Sequence, residues 1–172
     1  MADRYAVIGN PVAHSKSPWI HAEFARATAQ DLEYSRLEAP LDGFARTLDG
    51  FRALGGRGAN VTLPFKQEAF RYATRCTERA QSAGAVNTLR FEGDDVLGDN
   101  TDGVGLLRDL TVNAGCAIAG KRVLLMGAGG AAQGVLGPLL AARPVSLVIA
   151  NRTADRARAL ARRFPGAVGG GY

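Results

Sequence analysis

A glycine-rich turn that follows an apolar segment constrains the fold of this chain more than any other feature of the sequence. Residues 121–126 (KRVLLM) predict a strand, the turn Gly127–Ala132 comes next, and the residues up to about 142 predict a helix. Residues 145–150 are apolar except for Ser146 and predict a second strand. In this strand–turn–helix–strand context, the pattern GxGxxG/A indicates a dinucleotide-binding unit rather than a simple connection.

Each position of the turn has a physical use in binding a pyrophosphate. Gly127 permits the tight turn, Gly129 lets the backbone approach the phosphates, and Ala132 allows close packing of the helix on the strand. The start of the helix also offers unpaired N–H groups and a partial positive charge. The predicted phosphate-binding residues are Gly127, Ala128, Gly129, Gly130 and Ala131.

The end of the second strand predicts which dinucleotide is bound. A site for NAD usually has an acidic residue there, which holds the ribose hydroxyls. This chain has Asn151, Arg152 and Thr153 instead, with Arg156 one helical turn later. Because arginines favour a 2′-phosphate, the sequence predicts NADP. The remaining arginines of this segment, Arg158, Arg162 and Arg163, are expected on a solvated basic helix over residues 154–164.

Composition and charge narrow the class of protein. The chain has 172 residues, of which 47% are apolar and 22% charged, so it is not a disordered chain. Residues 121–172 hold eight Lys or Arg and one acid, a net charge of +7. That charge suits a polyanion, but no aromatic residues alternate with the arginines, so a phosphate-bearing cofactor is favoured over nucleic acid. No segment reads as a membrane span or a signal peptide, which predicts a cytoplasmic protein without membrane association.

Cysteine and histidine are too sparse to predict a metal site. Cys76 and Cys116 stand forty residues apart without a CxxC motif. His14 and His21 have no third ligand at metal-binding spacing. No metal is therefore expected, and the two cysteines fit a reducing compartment.

The first hundred residues predict an α/β domain with a mainly parallel sheet. Predicted strands lie at residues 5–9, 32–38, 59–63, 85–91 and 96–98, the last two forming a hairpin, and predicted helices lie at 17–29, 41–54, 64–72 and 77–83. Alternation of strands and helices favours parallel pairing. A helix over 102–114 links this part to the nucleotide-binding unit. The predicted domains are residues 1–101 and 102–172.

Several polar residues of the first domain are candidates for a substrate site. Lys66 follows the strand at 59–63, where a parallel sheet usually binds ligands. Ser15 and Ser17 precede a helix, and hydroxyls with free backbone N–H groups suit a carboxylate. Asn87 is a polar amide within a strand of small and β-branched residues. Each has a structural alternative: Lys66 as a surface charge, and Ser17 and Asp102 as simple N-caps of their helices.

Six segments resemble the shikimate dehydrogenase family and occur in its order and spacing over nearly the whole chain. They are GNPVAHSKSP at 9–18, NVTLPFK at 60–66, GAVNT at 84–88, GDNTDG at 98–103, the glycine turn at 127–132, and NRT at 151–153. The resemblance implies an N-terminal substrate domain, a Rossmann-like NADP domain and an active site in the cleft between them. The implied reaction is the reversible NADPH-dependent reduction of 3-dehydroshikimate to shikimate, in aromatic amino-acid biosynthesis.

The resemblance also assigns roles to individual residues. Ser15 and Ser17 would hold the substrate carboxylate, and Thr62, Asn87 and Asp102 would bind ring hydroxyls. Lys66 would be the catalytic acid/base, paired with Asp102. Glu78 matches a position that approaches the cofactor in some members of the family.

The chain departs from the family in length, since the family's members are about a hundred residues longer. The missing part would include later Rossmann strands and a C-terminal helix that returns to the first domain with a glutamine for the substrate site. The NADP domain is therefore expected to be incomplete, with two strands, and residues 169–172 to end within a loop. The alternatives are a catalytically silent binding fragment and a quinate/shikimate dehydrogenase that prefers NAD. A monomer or a homodimer is expected.

Overall fold

The computed structural model describes residues 2–172 and divides them into two compact units. The first unit extends to Thr77 and resumes over Val86–Asp99; the second consists of Glu78–Ala85 and Asn100–Tyr172. The predicted domain border after residue 101 lies beside Asn100. The segment Glu78–Ala85, predicted within the first domain, belongs to the second unit.

The helices and strands follow one another in the predicted order, with two additional short strands. In chain order they are β1 (Asp3–Gly9), α1 (Ser17–Ala27), β2 (Leu32–Glu38), α2 (Phe44–Ala53), β3 (Gly56–Val61), α3 (Lys66–Tyr72), β4 (Arg75–Cys76), α4 (Glu78–Ala83), β5 (Thr88–Glu92), β6 (Asp95–Asp99), α5 (Asp102–Arg108), β7 (Arg122–Met126), α6 (Gly130–Ala141), β8 (Ser146–Ala150), α7 (Ala154–Arg163) and β9 (Ala167–Gly170). A π-helical turn over Asp109–Asn113 continues α5. None of the helices in residues 2–172 has the length and apolar character needed to cross a membrane.

The first unit is built on a six-stranded sheet in the order β2-β1-β3-β5-β6-β4. The pairs β1–β2, β1–β3 and β4–β6 are parallel, whereas β5 is antiparallel to both of its neighbours, β3 and β6. The prediction of a mainly parallel sheet with one hairpin is confirmed. Phe44, Leu48 and Phe65 are fully buried in this unit, with the rings of Phe44 and Phe65 5.1 Å apart.

Two predicted helix caps are wrong. Ser17 is the first residue of α1 rather than its cap: the cap is Lys16, and the backbone N–H of Ser17 donates to Oγ of Ser15 at 3.3 Å. Asp102 likewise begins α5 and does not cap it. In both cases the side chain that accepts the N–H lies two residues before the helix, where Ser and Asn readily form such local bonds.

The second unit contains a parallel sheet of three strands in the order β7-β8-β9. The expectation of only two strands is therefore wrong, and so is the loop expected at Gly169 and Gly170, whereas Gly171 and Tyr172 lie outside any strand. Strand β9 is rich in glycine, which is normally depleted from strands, so its sequence carries no strand signal. Gly169 is needed because β9 passes against α7: a Cβ at this position would lie 2.3 Å from the carbonyl oxygen of Ala157.

Only one face of this small sheet is covered by the described residues. Leu147 and Ile149 are buried in a cluster with residues of α6 and α7. Leu124, Met126 and Val168 on the strands are all more than 60% exposed. Parallel sheets are normally covered on both faces.

The close approach of β9 to α7 gives a test of the third strand. We expect Gly169→Ala to destabilise the second unit by about 1–3 kcal/mol, because the new methyl group overlaps backbone that cannot move away easily. Gly170→Ala is the matched control, since a Cβ there meets nothing within 4 Å. The measurement is urea unfolding followed by circular dichroism. Equal stability of the two variants would contradict the position of β9.

Candidate active site and nucleotide site

Four of the predicted substrate-site residues lie at one edge of the first unit's sheet: Ser15 and Thr62 in the loops after β1 and β3, and Ser17 and Lys66 at the start of the helices that follow these loops. Strands β1 and β3 are parallel, so their carboxyl ends meet at this edge. The N–H of Thr62 donates to the carbonyl of Ile8 at 2.9 Å, and the N–H of Asn10 donates to the carbonyl of Leu63 at 3.0 Å. These two bonds join the loop that carries Ser15 and Ser17 to the loop that carries Thr62 and Lys66.

Asn87 is held at the same edge by the antiparallel strand β5. Its carbonyl accepts the N–H of Val61 at 2.8 Å, and the N–H of Val86 donates to the carbonyl of Lys66, also at 2.8 Å. Residues 20 and 26 positions apart in the sequence are thereby fixed as neighbours through backbone hydrogen bonds. Thr62, Lys66 and Asn87 are all half-buried, which leaves part of each accessible to a ligand.

The two serines form a local hydrogen-bonded pair at the start of α1. Oγ of Ser15 donates to Oγ of Ser17 at 3.1 Å. The carbonyl of Ser15 accepts two bonds from the guanidinium of Arg36, at 2.9 and 2.6 Å. Arg36, which the sequence analysis did not select, thus anchors this loop and adds a positive charge beside the two hydroxyls.

Asp102, the remaining predicted substrate-site residue, lies in the second unit as the first residue of α5. Its N–H donates to Oδ1 of Asn100 at 3.1 Å, and Nδ2 of Asn100 donates to the carbonyl of Ala85 at 3.0 Å. Asn100 is 2% exposed and is the only polar residue among the buried residues of the described chain. Asn100 was not among the residues predicted from the sequence, although an Asn two residues before a helix is a recognisable capping signal.

The glycine turn of the second unit has the conformation and the open space that a phosphate requires. Gly127 has φ +106°, a backbone conformation that favours glycine, and its N–H donates to the carbonyl of Ala150 at 2.7 Å. A Cβ at Gly127 or at Gly129 would meet nothing within 4 Å. Helix α6 starts at Gly130 without a side-chain cap, so its first N–H groups and its partial positive charge face this open space.

The end of β8 supplies the basic part of the nucleotide site. Nδ2 of Asn151 donates to the carbonyl of Thr153 at 2.9 Å, which orders this turn. Arg152 and Arg156 are exposed, and within residues 2–172 neither forms a salt bridge. A phosphate group bound at this turn would therefore meet two guanidinium groups that form no salt bridge within the described residues.

The other three arginines of this region, Arg158, Arg162 and Arg163, are exposed, as the sequence predicted. Arg158 is exposed and pairs with Asp155 at 3.0 Å. Arg163 is also exposed, and it donates in addition to Oε1 of Gln133 and to the carbonyl of Ala83, both at 3.3 Å. Its long side chain thereby connects α7 to α6 and α4, which the sequence did not predict.

Glu78 is exposed at the start of α4 and lines a groove of about 280 Å³ with residues of α6, among them Gln133 and Pro138. The groove lies on the side of α6 that packs against α4. The structure places Glu78 within the second unit, as the cofactor role requires, and its approach to a cofactor stays a prediction.

Burial and hydrogen bonding alter the proton affinity of two rings in the first unit. The imidazole of His21 stacks on the ring of Tyr34, with centroids 4.0 Å apart and planes 7° from parallel. Burial lowers the pKa of His21, and a hydrogen bond with Asn60 opposes this only in part. Burial also raises the pKa of Tyr34 above its ordinary value of 10.

These features define the class of protein: a two-unit α/β protein in which one unit has a polar sheet edge and the other has an open glycine turn between a strand and a helix. Two family models match the chain. The model for "Shikimate dehydrogenase substrate binding domain" matches residues 7–89, and that for "Shikimate / quinate 5-dehydrogenase" matches residues 110–169. The chain belongs to the shikimate dehydrogenase family.

Similar proteins support the same membership. The chain is 62% identical over 164 residues to shikimate dehydrogenase (NADP(+)) of Dechloromonas aromatica, covering 95% of this chain and 60% of that protein. A crystal structure of an Ael1 enzyme from Pseudomonas putida is 48% identical with a TM-score of 0.91, covering 99% of this chain and 64% of that one. Shikimate 5-dehydrogenase from Thermus thermophilus, in complex with NADP(H) and shikimate, is 37% identical with a TM-score of 0.88, covering 96% and 62%. The chain thus spans about 60% of the length of the curated relatives it matches.

The stacked position of His21 predicts a pH dependence of stability. The folded pKa of His21 lies below its ordinary value of 6.5, so the unfolded chain binds the proton first as the pH falls. We expect the contribution of this residue to be constant above pH 6.5 and to decrease as the pH falls below it.

The measurement is urea unfolding at pH 8.0 and pH 5.5 for the wild type and for His21→Phe, which keeps an aromatic ring on Tyr34 but does not titrate. The wild type should lose more stability between the two pH values than the variant. An NMR titration of the His21 ring should give a midpoint below 6.5; a midpoint above it would contradict the buried, stacked position.

Proposed function

We propose that this chain carries the substrate site and part of the NADP site of a shikimate dehydrogenase, an enzyme that reversibly reduces 3-dehydroshikimate to shikimate. The observation that carries the proposal is the joint presence of the ordered polar edge of the first unit and the open glycine turn with its two unpaired arginines in the second. The relatives named shikimate dehydrogenase (NADP(+)), and the Thermus thermophilus structure with both ligands, support it.

The proposed substrate contacts follow from the chemistry of each group. Shikimate is a ring with one carboxylate and three hydroxyls. The hydroxyls of Ser15 and Ser17, next to the positive charge of Arg36, suit the carboxylate. Thr62, Asn87 and Asp102 offer donors and acceptors that suit the ring hydroxyls.

Lys66 is the proposed acid/base. When bound, NADPH would supply the hydride for reduction of the ring ketone, and NADP⁺ would accept it in the opposite direction. As the ketone carbon gains the hydride, the Lys66 ammonium gives a proton to the oxygen; in the opposite direction the amine removes the proton of the hydroxyl. Its positive charge also stabilises negative charge that develops on that oxygen. Asp102 contributes by holding a hydroxyl of the ring, the role that the family resemblance gives it.

The residues of the second unit fit the proposed cofactor. The open turn at Gly127–Gly130 and the uncapped start of α6 would hold the pyrophosphate, together with Ala128 and Ala131. Asn151 and Thr153 shape the turn in which Arg152 lies, and Arg152 and Arg156 would hold the 2′-phosphate of NADP. The proposed border of the substrate and NADP domains is at residues 101 and 102.

A catalytically silent binding fragment is the second candidate, favoured by the coverage of about 60% of the related proteins. The two candidates differ in turnover and not in binding. The deciding measurement is the oxidation of shikimate with NADP, followed by the near-ultraviolet absorbance of the reduced nicotinamide. A folded chain that binds shikimate without turnover would be the silent fragment.

Lys66 provides the mechanistic test. In a chain that turns over, we expect Lys66→Ala to lower kcat by roughly 10²- to 10⁴-fold, the usual contribution of a general acid/base, with a much smaller change in shikimate Kd. Lys121→Ala, which removes an exposed lysine of the second unit, should leave both values unchanged. Equal losses in kcat and in binding would contradict the acid/base role and leave Lys66 as a binding residue.

Arg152 and Arg156 provide the cofactor test. We expect Arg152→Ala and Arg156→Ala each to weaken NADP binding by roughly 10-fold or more, since hydrogen bonds to charged groups contribute about 1.5–3 kcal/mol. Binding of NAD, which lacks the 2′-phosphate, should hardly change. Arg162→Ala, on the same helix as Arg156, is the matched control. The measurement is calorimetric titration with NADP and with NAD. Activity assays with quinate and with shikimate would then identify a quinate/shikimate dehydrogenase that prefers NAD.

A further inference from the structure

The side chain of Arg36 fastens the loop before α1 to strand β2. Nε and Nη2 of Arg36 both donate to the carbonyl oxygen of Ser15, at 2.9 and 2.6 Å. A second bond joins the same segments, because Nδ2 of Asn10 donates to the carbonyl of Ala39, just after β2, at 2.8 Å. The loop is therefore held at its start and near its end, and Arg36 holds the end at which Ser15 lies.

The bonds from Arg36 fix the direction of the peptide group between Ser15 and Lys16. A guanidinium can only donate and a carbonyl can only accept, so these bonds have a single possible direction. The Ser15–Lys16 peptide bond is not among the cis bonds of the described chain. In a planar trans peptide the C=O and the N–H point in opposite directions. The N–H of Lys16 therefore points away from Arg36.

The N–H of Lys16 faces the side of the loop on which the Ser15 hydroxyl lies. Lys16 has φ −90° and ψ 0°, a right-handed helical conformation in which successive N–H groups point in similar directions. The next N–H, that of Ser17, donates to Oγ of Ser15, which lies 3.1 Å from Oγ of Ser17. Among the hydrogen bonds of the described residues, none has the N–H of Lys16 as its donor. Two hydroxyls and one backbone N–H thus share one side of the loop.

Arg36 keeps its positive charge beside this peptide group. Several arginines of the first unit pair with an acid, as Arg57 does with Asp3 at 3.3 Å. Within residues 2–172 Arg36 forms no salt bridge, and the acceptor of both its bonds is the neutral carbonyl of Ser15. Because hydrogen bonds polarise the groups that they join, a cation on the carbonyl makes the N–H of Lys16 a stronger donor to an anion.

We propose that Arg36 is a positioning residue for the carboxylate of the substrate: it holds the Ser15–Lys16 peptide so that the backbone N–H of Lys16 joins the hydroxyls of Ser15 and Ser17 as a third donor. Arg36 acts through the peptide group and lies on its carbonyl side. The identity of the ligand rests on the proposed function. The direction of the Lys16 N–H is a property of the chain without ligand.

The test uses the full 172-residue chain, with shikimate and its uncharged methyl ester as ligands. Arg36→Met removes both donors and the charge, whereas Arg36→Lys keeps the charge but loses the paired N–H groups of the guanidinium. Arg71→Met is the matched control, since it removes an exposed arginine from the last turn of α3. The backbone amide signal of Lys16 is followed by ¹H–¹⁵N NMR, and the Kd of each ligand is measured by titration.

In the wild type, the amide proton signal of Lys16 should move downfield when shikimate binds and much less with the ester, because an ionised acceptor forms the stronger hydrogen bond. Arg36→Met should displace this signal before ligand is added. It should also raise the Kd for shikimate roughly 10-fold, as expected for the loss of one hydrogen bond to a charged group, with little change for the ester. Arg36→Lys should give intermediate values, and Arg71→Met wild-type values.

Two results would overturn the proposal directly: a wild-type Lys16 signal that does not respond to shikimate, or equal losses for both ligands in Arg36→Met, which a merely structural role would produce. A displaced Lys16 signal with wild-type affinity in Arg36→Lys would also overturn it, since the charge alone would then explain the role of Arg36.

Failure of the wild-type chain to bind shikimate would instead contradict the proposed function. The ligand-free spectra still decide the positioning role in that case, because an undisplaced Lys16 signal in Arg36→Met would show that Arg36 does not hold the peptide.

Discussion

Two backbone hydrogen bonds near the start of β5 hold the candidate substrate site together. The N–H of Val61 donates to the carbonyl of Asn87, and the N–H of Val86 donates to the carbonyl of Lys66. Both depend on β5 being antiparallel to β3. A parallel sheet alone would bring the loops after β1 and β3 to one edge, but the antiparallel strand delivers Asn87 there from the opposite direction. Polar side chains from three distant segments thereby share one sheet edge.

Strand β5 also contributes to the hydrogen-bond network of the candidate substrate site. Thr88, the first residue of β5, is hydrogen-bonded both to Asn60 of β3 and to Asn87 beside it. A substrate site that distinguishes hydroxyls on a ring needs donors and acceptors of fixed identity, and an amide side chain has one of each. Hydrogen bonds among Asn60, Thr88 and Asn87 restrain these side chains before any ligand arrives. Preorganisation of this kind reduces the ordering that binding must impose.

The second unit depends on close backbone contact, and small residues occur where that contact is made. Gly103 and Gly134 let α5 approach α6: a Cβ at Gly103 would lie 2.5 Å from the carbonyl oxygen of Gly134. Gly169 does the same for β9 and α7. The sheet is nevertheless covered on one face only within the described residues, and apolar side chains such as Leu124 and Met126 remain exposed. The unit is therefore less completely packed than a sheet with helices on both faces.

The sequence by itself determined the local features. The strand before Gly127, the turn, the helix after it and the arginines after β8 could all be predicted, because each depends on nearby residues whose preferences are strong: glycine for a positive φ, apolar residues for a buried strand. The family resemblance added roles for Lys66, Asp102 and the residues around them. Tertiary structure decided whatever depends on partners far along the chain. Strand β9 passes so close to α7 that Gly169 has no room for a side chain. Arg163 and Asn100 each donate to a carbonyl group on another segment, and the carbonyl of Asn87 accepts the N–H of Val61 on β3. Such long-range contacts leave no periodic pattern in the sequence, so they became visible only once the strands were in register.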